Sequence, residues 1–227
     1  MTAATMTRTD EQLQRDVLAE LKWDARVQPN EIGVSAKEGV VSLTGWVDSF
    51  VKKWAAEQAA YRVRGVKAIA NDIEVRLPTS AERTDPDLAA AATRALDWDA
   101  LVPSQNIHVT VSRGWVTLSG EVEWEYQRRA AERAVRRLSG VRGVTNQISL
   151  RPRTRVDLAE ARRRIEEALV RTVDTPGERL TVTIEGDKVI LTGVVRSWRE
   201  REEAARVAWS APGVMSVENR IVVMPES

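Results

Sequence analysis

The strongest constraint on this chain is that it repeats itself with a long period. Ser42-Leu43-Thr44-Gly45, Thr117-Leu118-Ser119-Gly120 and Ile190-Leu191-Thr192-Gly193 occupy the same place in three consecutive stretches, their glycines 75 and then 73 residues apart. Gly65-Val66 through Asn71 to Ile73 recurs at those offsets as Gly140-Val141 through Asn146 to Ile148, and as Gly213-Val214 through Asn219 to Ile221. A period this long, matched at several landmarks, specifies tandem copies of one small domain. At roughly 70 residues a single core is marginal, so neighbouring copies gain by packing on one another.

Within each copy the apolar pattern changes period in the same order. Leu13, Val17, Leu18 and Leu21 have helical spacing after the cap material Thr9-Asp10, as do Leu88, Ala92 and Leu96 after Asp85-Pro86, and Leu158, Ala161, Ile165 and Leu169 after Asp157. Alternation then takes over on both sides of a glycine-bearing turn: Ile32, Val34, Ala36, then Val41 and Leu43; Ile107, Val109, Val111, then Val116 and Leu118; Leu180, Val182, Ile184, then Val189 and Leu191. That is a β-hairpin. Gly45, Gly120 and Gly193 are expected to close it. Alanine-faced helices follow, with Ser197-Trp198-Arg199-Glu200 fitting a capping box and Asp48-Ser49 at the matching point, and are stopped by Gly65, Gly140 and Gly213. A last strand carries Ile73 and Val75, Ile148 and Leu150, or Ile221 and Val223.

The fold class predicted is α+β: three tandem α-β-β-α-β domains, each a three-stranded sheet with two helices on one face, spanning 9–77, 84–151 and 156–224. The connectors, Pro78 to Thr84 and Arg151 to Arg155, are short, polar and proline-marked and read as semi-rigid hinges. A triplicated unit with Val-x-Leu-Thr/Ser-Gly at the hairpin and Gly-Val…Asn-x-Ile at the last strand resembles the BON family, named for bacterial OsmY and nodulation. The resemblance implies a non-catalytic module associated with osmotic and envelope stress, for which phospholipid-surface binding has been proposed.

Several chemistries lack their residues. With no cysteine there is no thiolate metal site, disulfide or cysteine nucleophile. His108 is the only histidine, its counterparts are Gly33 and Thr181, and it alternates onto a polar strand face. No two carboxylates recur at a coupling distance, so no catalytic residue, metal or cofactor is expected and the chain reads as non-enzymatic. Gly140-Val141-Arg142-Gly143 suggests an RNA-clamping Gly-x-x-Gly loop, but it joins a helix to a strand and reads as a helix stop plus turn. The net charge of +1 provides no global field for nucleic acid. No run of about 20 apolar residues spans a membrane. No cationic start with an apolar run marks a signal, so the cytoplasm is expected, or the periplasm if a signal was removed.

What varies between copies is where a binding surface is sought. Arg129, Arg133, Arg136 and Arg137 share one face of the second copy's second helix, with Arg128 and Arg142 nearby and the linker arginines Arg151, Arg153 and Arg155 beyond. They form either a solvated face or a docking patch for lipid headgroups or an acidic partner. Eight of eleven aromatics are tryptophan. Trp23 and Trp98 are repeat-equivalent, which suggests packing. Trp46, Trp124 and Trp198 cluster at the hairpin–helix junction and read either as packing between copies or as interfacial anchors. Asn71, Asn146 and Asn219 share strand parity with the buried isoleucines and are expected to make a structural hydrogen bond at the turn into the last strand. The residues thus predict a stress-related binding protein that touches an anionic phospholipid surface or protein partners through Trp46, Trp124, Trp198 and the arginine face. A sensor whose hinged copies close around a small ligand or ion is the alternative.

Overall fold

The computed structural model describes residues 9–27, 31–151, 158–172 and 180–224. Each copy begins with a helix: α1 (Asp10–Trp23), α3 (Asp85–Trp98) or α5 (Leu158–Thr172). The Thr9 hydroxyl accepts from the Gln12 amide while Gln12 returns a bond to the Thr9 N–H, so two of the orphan donors of the first turn of α1 are satisfied. Thr84 caps α3 in the same way, through the Asp87 amide, with Pro86 just inside the helix.

The hairpins are β1 (Ile32–Lys37) with β2 (Val40–Val47), β5 (Ile107–Ser112) with β6 (Trp115–Val122), and β8 (Leu180–Glu185) with β9 (Lys188–Val195). Their two-residue turns place Glu38-Gly39 and Arg113-Gly114 at positive φ, the geometry that matches strand twist. The repeated glycine closes the hairpin pairing, as expected, opposite Ile32, Ile107 or Leu180, but it does not end its strand. Gly45 lies opposite Ile32 inside β2, and the strand continues to Val47. Its φ is +108°, and a Cβ there would sit 2.0 Å from the Glu31 carbonyl oxygen; at Gly120, with φ +124°, the Asn106 carbonyl is equally close. The glycine therefore admits a carbonyl that packs against the strand from its neighbour, a close approach only a missing side chain permits.

The second helices are α2 (Phe50–Arg62), α4 (Glu125–Arg136) and α6 (Trp198–Trp209). Each crosses over to a strand that pairs in parallel with the second hairpin strand: β3 (Ala68–Asn71) and β4 (Glu74–Val75) on β2, β7 (Gly143–Leu150) on β6, and β10 (Ser216–Val223) on β9. Copy one divides this strand in two where the others keep it whole. Both helices lie on one face, and each copy has its own core, centred on Leu21, Leu43 and Ile73; on Leu96, Leu118 and Ile148; or on Ile165, Leu191 and Ile221. The repeated asparagine links the layers. Its Oδ1 accepts from the N–H two residues on, at Ile73, Ile148 or Ile221. Its Nδ2 donates to the overlying helix, to Glu57, to the Arg128 carbonyl and Glu132, or to the Arg201 carbonyl. The bond expected at the strand entry is present, and the tie to the helix comes with it.

The copies meet through their second helices in a closed cycle. The Arg136 guanidinium at the end of α4 lies 3.8 Å from the ring centroid of Trp54 in α2. Trp209 at the end of α6 receives Arg128 of α4 at 5.2 Å. Tyr61 near the end of α2 stacks on Trp198 at the start of α6, with centroids 4.4 Å apart and planes 16° off parallel. Tyr61, Arg136 and Trp209 are themselves 75 and 73 residues apart. One repeat position thus reaches, in each copy, the N-terminal half of the second helix of another. A head-to-tail contact used three times closes a ring. Phe50 of copy one and Trp209 of copy three pack against the core of copy two.

The first connector is held down. Arg83 donates to the Ser80 and Glu82 carbonyls, Ser139 to the Ala81 carbonyl, and Asp85 accepts from the Arg113 and Gly114 amides. In the second connector Arg151 pairs with Glu121 at 2.8 Å, while Arg153 and Arg155 lie outside the described residues, as does Asp157.

Candidate binding surface

Between α4 and α6 the ring opens into a cleft of about 850 Å³, lined by Leu101, Trp124, Tyr126, Arg129, Arg133, Arg206 and Trp209, with Glu125 and Ser210. Trp124 stands at the N-cap of α4, where Gln127 accepts from the Glu123 and Trp124 amides and holds the entry to the helix in place. Helical spacing then brings Arg129 and Arg133 onto one side of the cleft. The last turn of α6 supplies Arg206 and Trp209 from the other.

The electrostatics are uneven. Glu125, with 6% of its side chain exposed, pairs with Arg128 at 2.6 Å and Arg129 at 3.0 Å, so the one carboxylate lining the cleft among the described residues is already neutralised. Arg206 is held by Glu203, whose carboxyl it keeps below the usual range. Arg133 projects with the helix's positive face and lies next to the others without a carboxylate partner among the described residues. The cleft therefore combines aromatic walls, an apolar rim at Leu101 and Tyr126, and a cationic excess. Such a lining accepts an amphiphile with an anionic head.

The predicted residues divide between this cleft and other places. Trp124, Arg129 and Arg133 come together in it. Arg136 does not: only 12% of its side chain is exposed, it pairs with Glu132, and burial against Trp54 pulls its guanidinium below its ordinary value. Arg137 is exposed at the C-cap of α4, away from the lining. Trp198 is used in the stack with Tyr61. Trp46 lies on the open face of the first sheet, where Arg76 approaches its ring at 5.7 Å. Trp23 and Trp98, expected to pack, instead stand 85% and 89% exposed. Each ends its helix beside an aspartate, Asp24 or Asp99, whose backbone N–H terminates the helix, and the indole points away from the core. Arg206 and Trp209 were not expected in a site; the signal for Trp209 was its equivalence with Tyr61 and Arg136.

Comparison with known proteins agrees with this architecture. The profile of the BON domain matches residues 9–76, 84–152 and 157–225. Osmotically-inducible protein Y of Escherichia coli strain K12 is 27% identical over 143 residues, covering 61% of this chain and 71% of that protein. Among solved structures, CdsD, a structural protein of the type III secretion system of Chlamydia trachomatis, aligns over 94% of this chain and 92% of its own at 13% identity, with a TM-score of 0.28. With its profile matched three times along nearly the whole length, the chain belongs to the BON domain family.

Proposed function

We propose that this protein is a non-enzymatic, stress-related binding protein that engages anionic phospholipid surfaces through the α4–α6 cleft. The observation that carries the reading is the convergence of Trp124, Tyr126, Trp209, Arg129, Arg133 and Arg206 from two copies on one opening. Arginine in such a place pairs with phosphate oxygens, and aromatic side chains with a polar tip favour the bilayer interface. Trp98, the most exposed of the large apolar side chains, lies three residues before Leu101 at the rim, and Trp23 is its equivalent in copy one. In a ring built by rotation, equivalent side chains face the same end, which gives both indoles access to one flat surface. The similarity to an osmotically inducible protein supports a role in osmotic stress. The binding is peripheral, since no helix among the described residues is long and apolar enough to cross a membrane. A hinge closing around a solute gains no support from the geometry, because the second helices of all three copies are already in contact.

Co-sedimentation with vesicles tests the reading. Binding to vesicles containing phosphatidylglycerol at low salt, weakened as salt rises and absent with phosphatidylcholine alone, is the expected result. Equal recovery with both lipids, or none with either, would remove the lipid assignment.

A further inference from the structure

A second surface, on the opposite layer of copy two, centres on a tryptophan and a glycine that copies one and three lack at the equivalent positions. On the open face of its sheet, register aligns Thr110, Thr117 and Thr145 across three strands. Next to that row, Trp115 lies opposite Gly143. The indole rests flat on the glycine: a Cβ at Gly143 would come within 2.4 Å of ring atoms. Its N–H donates to the Thr145 hydroxyl at 2.8 Å, which fixes the ring's orientation, while 49% of the residue remains exposed. The equivalents of Trp115 are Val40 and Lys188, and those of Gly143 are Ala68 and Ser216. Gly143, which as sequence looks like part of a turn, is the seat of an aromatic platform.

Trp115, Thr110 and Thr117 line a cleft of about 950 Å³ that also receives Lys53, Arg76, Arg113 and Arg142. Glu74, the one carboxylate in that lining among the described residues, is bound to Arg76 at 2.7 Å. Lys53, Arg113 and Arg142 have no ion-pair partner among the described residues.

We propose that this face binds a soluble anionic saccharide, with a sugar ring stacked on Trp115, its hydroxyls on Thr110 and Thr117, and its acidic groups at Arg113 and Arg142. Serine and threonine hydroxyls both donate and accept, which matches the hydroxyls of a polyol. A single nucleic-acid strand needs successive aromatic platforms, and this face offers one.

The test is an NMR titration of the full chain with oligogalacturonate, with maltohexaose and a thymidine oligomer as comparators. Saturable shifts of the Trp115 indole N–H and the Thr117, Gly143 and Thr145 amides are expected, with weaker binding of the neutral sugar and none of the DNA. Trp115→Ala should weaken binding about tenfold or more, and Arg113→Gln with Arg142→Gln about tenfold, an effect that fades with salt. Gly143→Ala keeps the tryptophan but lifts the ring from its seat, so it too should lower affinity and move the indole resonance. Trp115→Phe, which keeps a smaller platform, should fall between wild type and Trp115→Ala. Absent shifts, shifts confined to α4 and α6, unchanged affinity in Gly143→Ala, or preferential binding of the DNA would each overturn the proposal. Vesicle binding is read separately, so the two surfaces can fail independently.

Discussion

Tyr61 of the first copy and Trp198 of the third stack at 4.4 Å, joining the two ends of the chain's repeat. Burial against this partner, with the nearby Glu57 and Glu202 charges, raises the pKa of the phenol above its ordinary value. Arg136–Trp54 and Trp209–Arg128 are the same relationship written in other side chains. If this contact closes the ring, a double-mutant cycle with Tyr61→Ala and Trp198→Ala should return a coupling of about 0.5 to 1.5 kcal/mol in urea denaturation. A zero coupling would mean the two rings are neighbours without mutual support.

The asparagine tie should be costly in every copy. Asn146→Ala leaves the N–H of buried Ile148 without its acceptor and releases α4 from the sheet. The expected loss is about 1 to 3 kcal/mol by denaturation, and Asn71→Ala and Asn219→Ala should behave alike. A value near zero in all three would show that water replaces the bonds at no cost.

Gly120→Ala should destabilise the second copy by about 3 kcal/mol, because its Cβ would meet a backbone carbonyl that cannot swing away as a side chain could. Gly186→Ala is the control: nothing lies within 4 Å of its Cβ, so only its φ of +63° opposes the change. The melting temperatures of the two variants should differ clearly, with Gly120→Ala the lower.

Gly120 and Asn146 also show what the sequence made legible. The period placed Gly120 and Asn146 as structural landmarks and ordered the helices and strands correctly, since hydrophobic spacing follows the local backbone. It did not show that β6 runs past Gly120 to Val122, because a glycine after a strand pattern looks like its end. The repeat equivalence of Trp23 and Trp98 does not imply packing, since an indole at a helix end can be equally repeated and stand outside. Helical spacing groups Arg136 with Arg129 and Arg133; its desolvation depends on Trp54, which belongs to another copy and carries no local signal. The repeat position of Tyr61, Arg136 and Trp209 was present in the spacing, hidden by the different chemistry of its three occupants.

Asp24 provides a pH test. Its side chain is 7% exposed and accepts from Arg26 at 2.7 Å and Arg62 at 3.0 Å, the latter tying α1 to α2. The hydrogen bonds from Arg26, and then Arg62, hold its carboxyl well below the usual carboxylate range. A depressed folded value stabilises the fold above the unfolded pKa, near 3.9, and that contribution is lost as pH falls towards the folded value. With both arginines substantially solvated, the loss should be about 1 to 2 kcal/mol. Asp24→Asn should lower stability at pH 7 and flatten the decline of stability between about pH 4 and pH 2 relative to wild type. Parallel curves for the two proteins would contradict the assignment.

The most direct measurement on the proposed function is vesicle binding by the full chain carrying Arg129→Gln, Arg133→Gln and Arg206→Gln, compared with wild type on phosphatidylglycerol vesicles at low salt. These side chains line the cleft from two copies and lie outside the three ring contacts, so the triple variant should keep its fold, as circular dichroism can verify. At about 1 kcal/mol for each cation near the surface, the expected loss in partitioning is about a hundredfold. A folded triple variant that binds these vesicles as wild type does would contradict it.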